Sequence, residues 1–222
     1  MSKVLIIDTE VASLETNEVI QMSWADVELQ GQGVTTHWFN PQRQWCPTAV
    51  SVHGIIPEDI PGDASPSSEA IRYLPECGYV IGHNVDFDAD ALGGLPGVKR
   101  ICTLALARAK YPQASSHKLG ALFLYIFGIN AENRDFVMSA HDAAVDVSLC
   151  WRILQDVSGV EIGKSPDWAE KLYQQSEVAR VPTVMMFGKH KGEEIKSIPG
   201  DYKRWLLKQS DVDPYLRKAL ER

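Results

Sequence analysis

No stretch of this 222-residue chain stays apolar for long. The longest such run, "ALFLYIF" at 121–127, falls well short of the roughly 20 residues that span a bilayer, so no membrane partner is expected. The four cysteines, Cys46, Cys77, Cys102 and Cys150, are widely spaced with no C-x-x-C pair. That pattern argues against a zinc cage and against a disulfide framework, and leaves reduced thiols in a core. The opening residues Met1, Ser2 and Lys3 run straight into a short apolar strand, without the basic region, apolar stretch and small-residue cleavage site of a leader, so a cytoplasmic protein is expected. Internal repeats and low-complexity segments are also missing. What remains, 45% hydrophobic and 23% charged residues, is ordinary for a globular chain and excludes disorder and fibre.

Positive charge is scarce in most of the chain. The net formal charge is −7, yet residues 1–179 hold 12 Lys and Arg against 23 Asp and Glu, whereas residues 180–222 hold 10 against 6. A basic tail on an acidic body suggests a division of labour, although a solvated basic helix surface would give the same count.

"VLIIDTE" (4–10), "EVIQMSWADVEL" (18–29) and "VTTHWFNP" (34–41) read as three strands of an antiparallel meander, the last two joined by "QGQG". "ASPSSEAIRYLPE" (64–76) reads as Ser and Pro leading into a helical pattern, and "YVIGHN" (79–84) as a short buried strand. From about 87 to 156 the spacing is mostly helical, in "DFDADALGG", "ICTLALARAKY", "HKLGALFLYIFG" and "SAHDAAVDVSLCWRILQDV". The order predicts an α/β fold, a mixed sheet flanked by helices. We expect one domain over residues 1–158, a connector over 159–182 containing a short helical "DWAEKLYQQSEVA", and a small basic C-terminal module over 183–222 that is marginal as a core by itself.

Alternate side chains of a strand point the same way, so Asp8 and Glu10 lie side by side at the end of a buried strand. Like charges in an apolar setting repel and are poorly solvated, and a divalent cation relieves both costs. For an isolated D-x-E, a turn-capping Asp8 and a solvent-facing Glu10 is the rival reading. Two further segments place acids at element ends: Asp86, Asp88 and Asp90 after "YVIGHN", and His141, Asp142 and Asp146 at a helix start. Ser139 and Asp142 fit capping-box spacing, which leaves Asp146 unexplained by structure alone.

Asp8-Thr9-Glu10, then Gly82-His83-Asn84 with Phe87-Asp88, then His141 followed by Asp146, resembles in order and spacing the DEDDh 3′–5′ exonucleases of the DnaQ type, over roughly residues 3 to 156. "AVSVHGI" (49–55) resembles that family's Val-His-Gly-Ile segment. The resemblance implies an RNase H-like fold, metal-holding carboxylates at Asp8, Glu10, Asp88 and Asp146, and a general base at His141. It also implies substrate contacts at Thr9, Leu14, His53 and Asn84, although an ordinary core leucine and a turn asparagine fit Leu14 and Asn84 nearly as well. Four acids suit two hard cations, Mg²⁺ or Mn²⁺, and a histidine titrating near neutral pH suits proton removal from water. Gln21 departs from the family, where many relatives carry Glu, and Asp86 and Asp90 read as surface acids.

"FGKHKGEEIKSIPGDYKRWLL" (187–207) resembles the C-terminal module of exodeoxyribonuclease X-like proteins. Lys189, His190 and Lys191 suit phosphates there, and Tyr202 or Trp205, if exposed, suits stacking on bases; the rival reading, that these aromatics are the tail's own core, is favoured for Trp205. The expected activity is release of nucleoside 5′-monophosphates from DNA 3′ ends, single-stranded or frayed from a duplex. Trimming of RNA ends, or a binding or proofreading subunit of a polymerase, are the alternatives. Oligomeric state is not readable.

Overall fold

A computed structural model describes residues 2–140, 142–209 and 212–222. Strand β1 (Val4–Val11) begins with four apolar residues that are almost wholly excluded from solvent. A strand hydrophobic on both faces belongs in the middle of a covered sheet. β1 accordingly pairs antiparallel with β2 (Val19–Asp26) and parallel with the later strand Tyr79–Gly82. β3 (Thr35–Asn40) pairs antiparallel with β2, completing the expected meander. With β4 (Ser65–Pro66), β5 (Tyr79–Gly82) and β6 (Lys99–Cys102), the sheet order is β4-β3-β2-β1-β5-β6.

Helices α1 (Pro47–His53), α2 (Val85–Ala91), α3 (Thr103–Lys110), α4 (Leu119–Phe127), α5 (Ala131–Met138), α6 (Ala143–Val157) and α7 (Trp168–Arg180) follow in chain order. α6 packs on β1 and β2, α2 on β1, β5 and β6, and α3 and α4 pack on α6. The packed stripe of α6 is Ala143, Val147, Cys150, Ile153, Leu154 and Val157, at helical spacing and all buried. Each large apolar side chain so buried contributes about 1.5–3 kcal/mol.

Two segments depart from the helical reading. "ICTLALARAKY" does not start as helix: Ile101 and Cys102 belong to β6, paired with Ile81 and Gly82, and α3 begins only at Thr103. The buried ladder position of β-branched Ile101 outweighs its place in the 3.6-residue pattern. "SSEAIRY" forms a 3-10 helix over Ser67–Tyr73. Ser67 Oγ is spent on the Val19 carbonyl at 2.6 Å, and Pro75 forces Leu74 into extended backbone, so the segment is anchored and ended within two turns.

The chain divides into two compact units, Met1–Ser176 and Glu177–Arg222, and the division falls within α7. The second unit contains α8 (Gly200–Leu207) and α9 (Pro214–Leu220) and has its own core of Met185, Ile195, Ile198, Leu206, Leu216, Ala219 and Leu220. Trp205 is not part of that core as the sequence suggested: it is 53% exposed, because the buried face of α8 is set by Leu206 and half-buried Tyr202.

Candidate metal centre

Asp8 and Glu10 share one face of β1, as strand alternation requires. Thr9 between them is buried, and its backbone N–H and its hydroxyl both donate to Asp88 Oδ1 at 2.9 Å. Those two bonds tie α2 to the strand. The turn that delivers α2 depends on Gly82, where a Cβ would stand 3.2 Å from Val85, and on Asn84 at φ +78°. Asparagine is among the few side chains that tolerate that left-handed conformation. Asp88 follows in the first turn and is only 3% exposed.

Asp146 sits in the first turn of α6. The helix is capped by Asp142, whose carboxylate accepts from Ala144 N–H at 2.9 Å. The expected cap at Ser139 is displaced, because Ser139 ends α5 instead. Gln21 of β2, directly across from Glu10, accepts a hydrogen bond from Ala143 N–H at 2.8 Å, and its amide nitrogen faces Asp142 Oδ2 at 3.4 Å. A neutral amide that is 1% exposed thus holds the helix start against the sheet.

The outcome is a cluster in which carboxylate oxygens of Asp8, Glu10 and Asp146 lie within 4.8 Å of one another. Burial holds the Asp8 carboxyl well above the usual carboxylate range, reinforced by the charges of Asp88, Asp146 and Glu10. Burial and the charges of Asp146 and Asp88 push Glu10 up to about 8. Asp88 is raised to about 7 by burial and Asp146, even though the Thr9 hydrogen bonds pull the other way. Burial first, and neighbouring acids after it, thus make the charged forms of Asp8 and Glu10 costly without a cation. An all-oxygen donor set of closely spaced carboxylates fits hard divalent cations such as Mg²⁺ or Mn²⁺.

The remaining expected residues have definite places, with one exception. Leu14 is 59% exposed and so is no core leucine. The His53 ring accepts at Nδ1 from Ile55 N–H and reaches the Val11 carbonyl with Nε2 at 3.2 Å, which ties α1 to the end of β1. Asn84 occupies the turn, and Asp86 and Asp90 both pair with Arg100, at 3.1 and 3.2 Å. His141 lies outside the described residues. Sequence reasoning missed the clamp made by Gln21; its one signal is a polar side chain inside the apolar run "VIQMSW".

No protein-family model and no curated protein sequence matches the chain. Among solved structures it is similar to exonuclease X in complex with 5′ overhanging duplex DNA, with a TM-score of 0.56 and 21% identity over 77% of this chain and 99% of that one. It is also similar to E. coli exonuclease I in complex with a dA16 oligonucleotide, with a TM-score of 0.60 and 16% identity over 96% of this chain and 61% of that one. The zinc-bound E. coli exonuclease I complex with single-stranded DNA aligns with a TM-score of 0.59 and 17% identity over 82% of this chain, but over only 46% of its own length. The chain therefore spans about half to three fifths of exonuclease I and nearly all of that exonuclease X chain. With its mixed sheet and flanking helices, this chain has the exonuclease fold.

Proposed function

We propose that the chain is a metal-dependent 3′–5′ exodeoxyribonuclease that releases nucleoside 5′-monophosphates. The observation that carries this reading is the convergence of Asp8, Glu10 and Asp146 within one exonuclease fold, with buried Asp88 beside them. Asp8, Glu10, Asp88 and Asp146 would hold two Mg²⁺ or Mn²⁺ ions, which supply charge stabilisation for the attacking and leaving oxygens of a phosphodiester. Asp8 and Glu10 are placed by the strand and Asp146 by the clamped start of α6. Thr9 fixes Asp88 so that the acids keep their spacing. In this reading His141 takes the proton from the attacking water, a task that suits a group titrating near neutral pH. Exposed Leu14, with His53 and Asn84, would meet the terminal nucleotide. DNA is favoured as substrate because the similar structures are DNA complexes.

The test is incubation of the purified chain with matched, end-labelled DNA and RNA strands, with and without Mg²⁺. Metal-dependent shortening of the DNA from its 3′ end is expected, with Asp8→Ala inactive and still folded. Faster shortening of RNA would move the assignment to an exoribonuclease. Near-normal turnover by Asp8→Ala would remove the two-metal role of the cluster.

A further inference from the structure

The second unit carries a cleft of about 260 Å³ lined by Lys189, His190, Pro199, Asp201, Tyr202 and Trp205. Its floor is aromatic: the His190 and Tyr202 rings meet edge to face at 4.5 Å, and Tyr202 lies 5.4 Å from Trp205 with the planes 38° apart. The loop folds this close because Gly188, at φ +70°, has no Cβ; one there would stand 2.8 Å from the Tyr202 hydroxyl. His190 is buried and engaged with Glu193 at 3.0 Å, so the floor is held in place. Trp205, by contrast, presents half its surface to solvent. A rigidly backed indole with an open face is costly to leave in water and suits a flat apolar partner.

Charge indicates the nature of that partner. Residues 177–222 hold ten Lys and Arg against seven Asp and Glu. Lys189 and Lys191 on the loop, and Lys203 and Arg204 beside Trp205 on α8, make no ion pair among the described residues, whereas Glu193 and Glu194 are engaged by His190 and Lys196. The one acid at the rim, Asp201, is bonded to Tyr202 N–H. The cleft is also below the roughly 300–1,000 Å³ of sites that enclose a whole small-molecule ligand. It has room for one flat group whose charged neighbours lie outside.

We propose that this cleft is a binding site for single-stranded nucleic acid, in which one base stacks on Trp205 and the flanking phosphates lie on Lys189 and Lys191. The residues lining it all belong to the second unit, and the proposal does not depend on the chemistry of the carboxylate cluster. Stacking needs only the face of a base, so binding is tolerant of sequence and strongly dependent on salt.

The test measures affinity of the full chain for 5′-labelled oligothymidylate and oligouridylate in EDTA, where strand hydrolysis by a metal site is blocked. Trp205→Ala is expected to weaken binding roughly 5- to 150-fold, the ~1–3 kcal/mol of a lost base stack, and Trp205→Phe to retain most of it. Lys189→Ala with Lys191→Ala is expected to lower the slope of log affinity against log salt by about 0.7 per phosphate contact removed. Should Trp205→Ala prove less folded by thermal melting, Trp205→Phe and the lysine pair decide the matter, since neither removes the aromatic floor. The ratio of the two affinities tells whether DNA or RNA is the strand preferred. Unchanged affinity in folded Trp205→Ala overturns the proposal, as does an unchanged salt slope in the lysine variant. Binding of a proline-rich peptide that is lost in Trp205→Ala, with no measurable affinity for either oligonucleotide, would assign the cleft to peptide and overturn the proposal equally.

Discussion

His83 shows how a single side chain near the site is used for support rather than chemistry. Its Nδ1 lies 3.0 Å from Thr103 Oγ1 and its Nε2 2.7 Å from the His117 carbonyl, so the ring bridges the end of β5, the start of α3 and the loop before α4. Burial depresses its pKa from 6.5 to about 4, aided by the charge of Arg108 and opposed by the His117 bond. The ring is neutral in the fold at neutral pH. As pH falls through 6.5 the unfolded chain takes up a proton that the folded chain refuses, so this stabilisation is lost between 6.5 and 4 and is constant below that window. The loss amounts to about 3 kcal/mol. His83→Gln keeps a donor and an acceptor but does not titrate. The gap between the unfolding free energies of the two proteins, from urea titrations, should therefore shift by about 3 kcal/mol against the wild type from pH 7 to pH 4, and parallel curves would mean that the folded ring protonates freely. Residues of this kind differ in how far their sequence discloses them. Asp8, Glu10 and Asp146 stand out because a buried acid needs a reason in any fold, whereas the bridging role of His83 depends on residues 20 and 34 positions away that no local pattern connects.

At the scale of elements, the start of α6 is the joint on which the carboxylate cluster depends. Asp142 caps it, and Gln21 reaches across from β2 to take the Ala143 N–H. Removing that acceptor leaves a buried donor unsatisfied at about 1–3 kcal/mol. Gln21→Leu should therefore lower the melting temperature by roughly 2–12 °C. It should also weaken Mg²⁺ binding in calorimetry, because Asp146 lies one turn from the loosened end. Gln21→Glu retains the acceptor but places a carboxylate where an amide nitrogen faces Asp142 Oδ2. Its deficit should grow from pH 5 to pH 8, and a pH-independent deficit would mean that charge is not what the amide avoids. The strands of the meander were readable because each alternates or buries a continuous apolar run between turn residues. β6 was not, since its four residues abut α3 with no breaker and take their conformation from pairing with β5. α1, started by Pro47 and ended at Gly54 with φ +72°, carried its signals in sequence but only one buried side chain, Ala49, too little to set a period.

Across the whole molecule, charge is partitioned: residues 1–179 carry eleven more acids than bases and residues 180–222 four more bases than acids. That division was visible in the sequence, but the exposure of Trp205 was not, because helix spacing alone places Tyr202, Trp205 and Leu206 near a common face. An acidic body repels a phosphate backbone except where its carboxylates would hold cations, so on the proposed function affinity for a long strand is expected from the basic end of the chain. A chain ending at residue 182 keeps the whole of α7 and the core of the first unit. It should still fold, and it should cleave a small nucleotide ester in Mg²⁺ at nearly the rate of the full chain. Its affinity for single-stranded DNA in EDTA should fall, and the slope of log affinity against log salt should shrink by about 0.7 for every phosphate contact the tail supplied. Salt titrations of binding, run beside ester hydrolysis for both lengths of chain, separate the possibilities. An unchanged slope would mean that the tail does not touch the strand, and loss of ester hydrolysis would mean that the first unit needs the tail to hold its carboxylates in place.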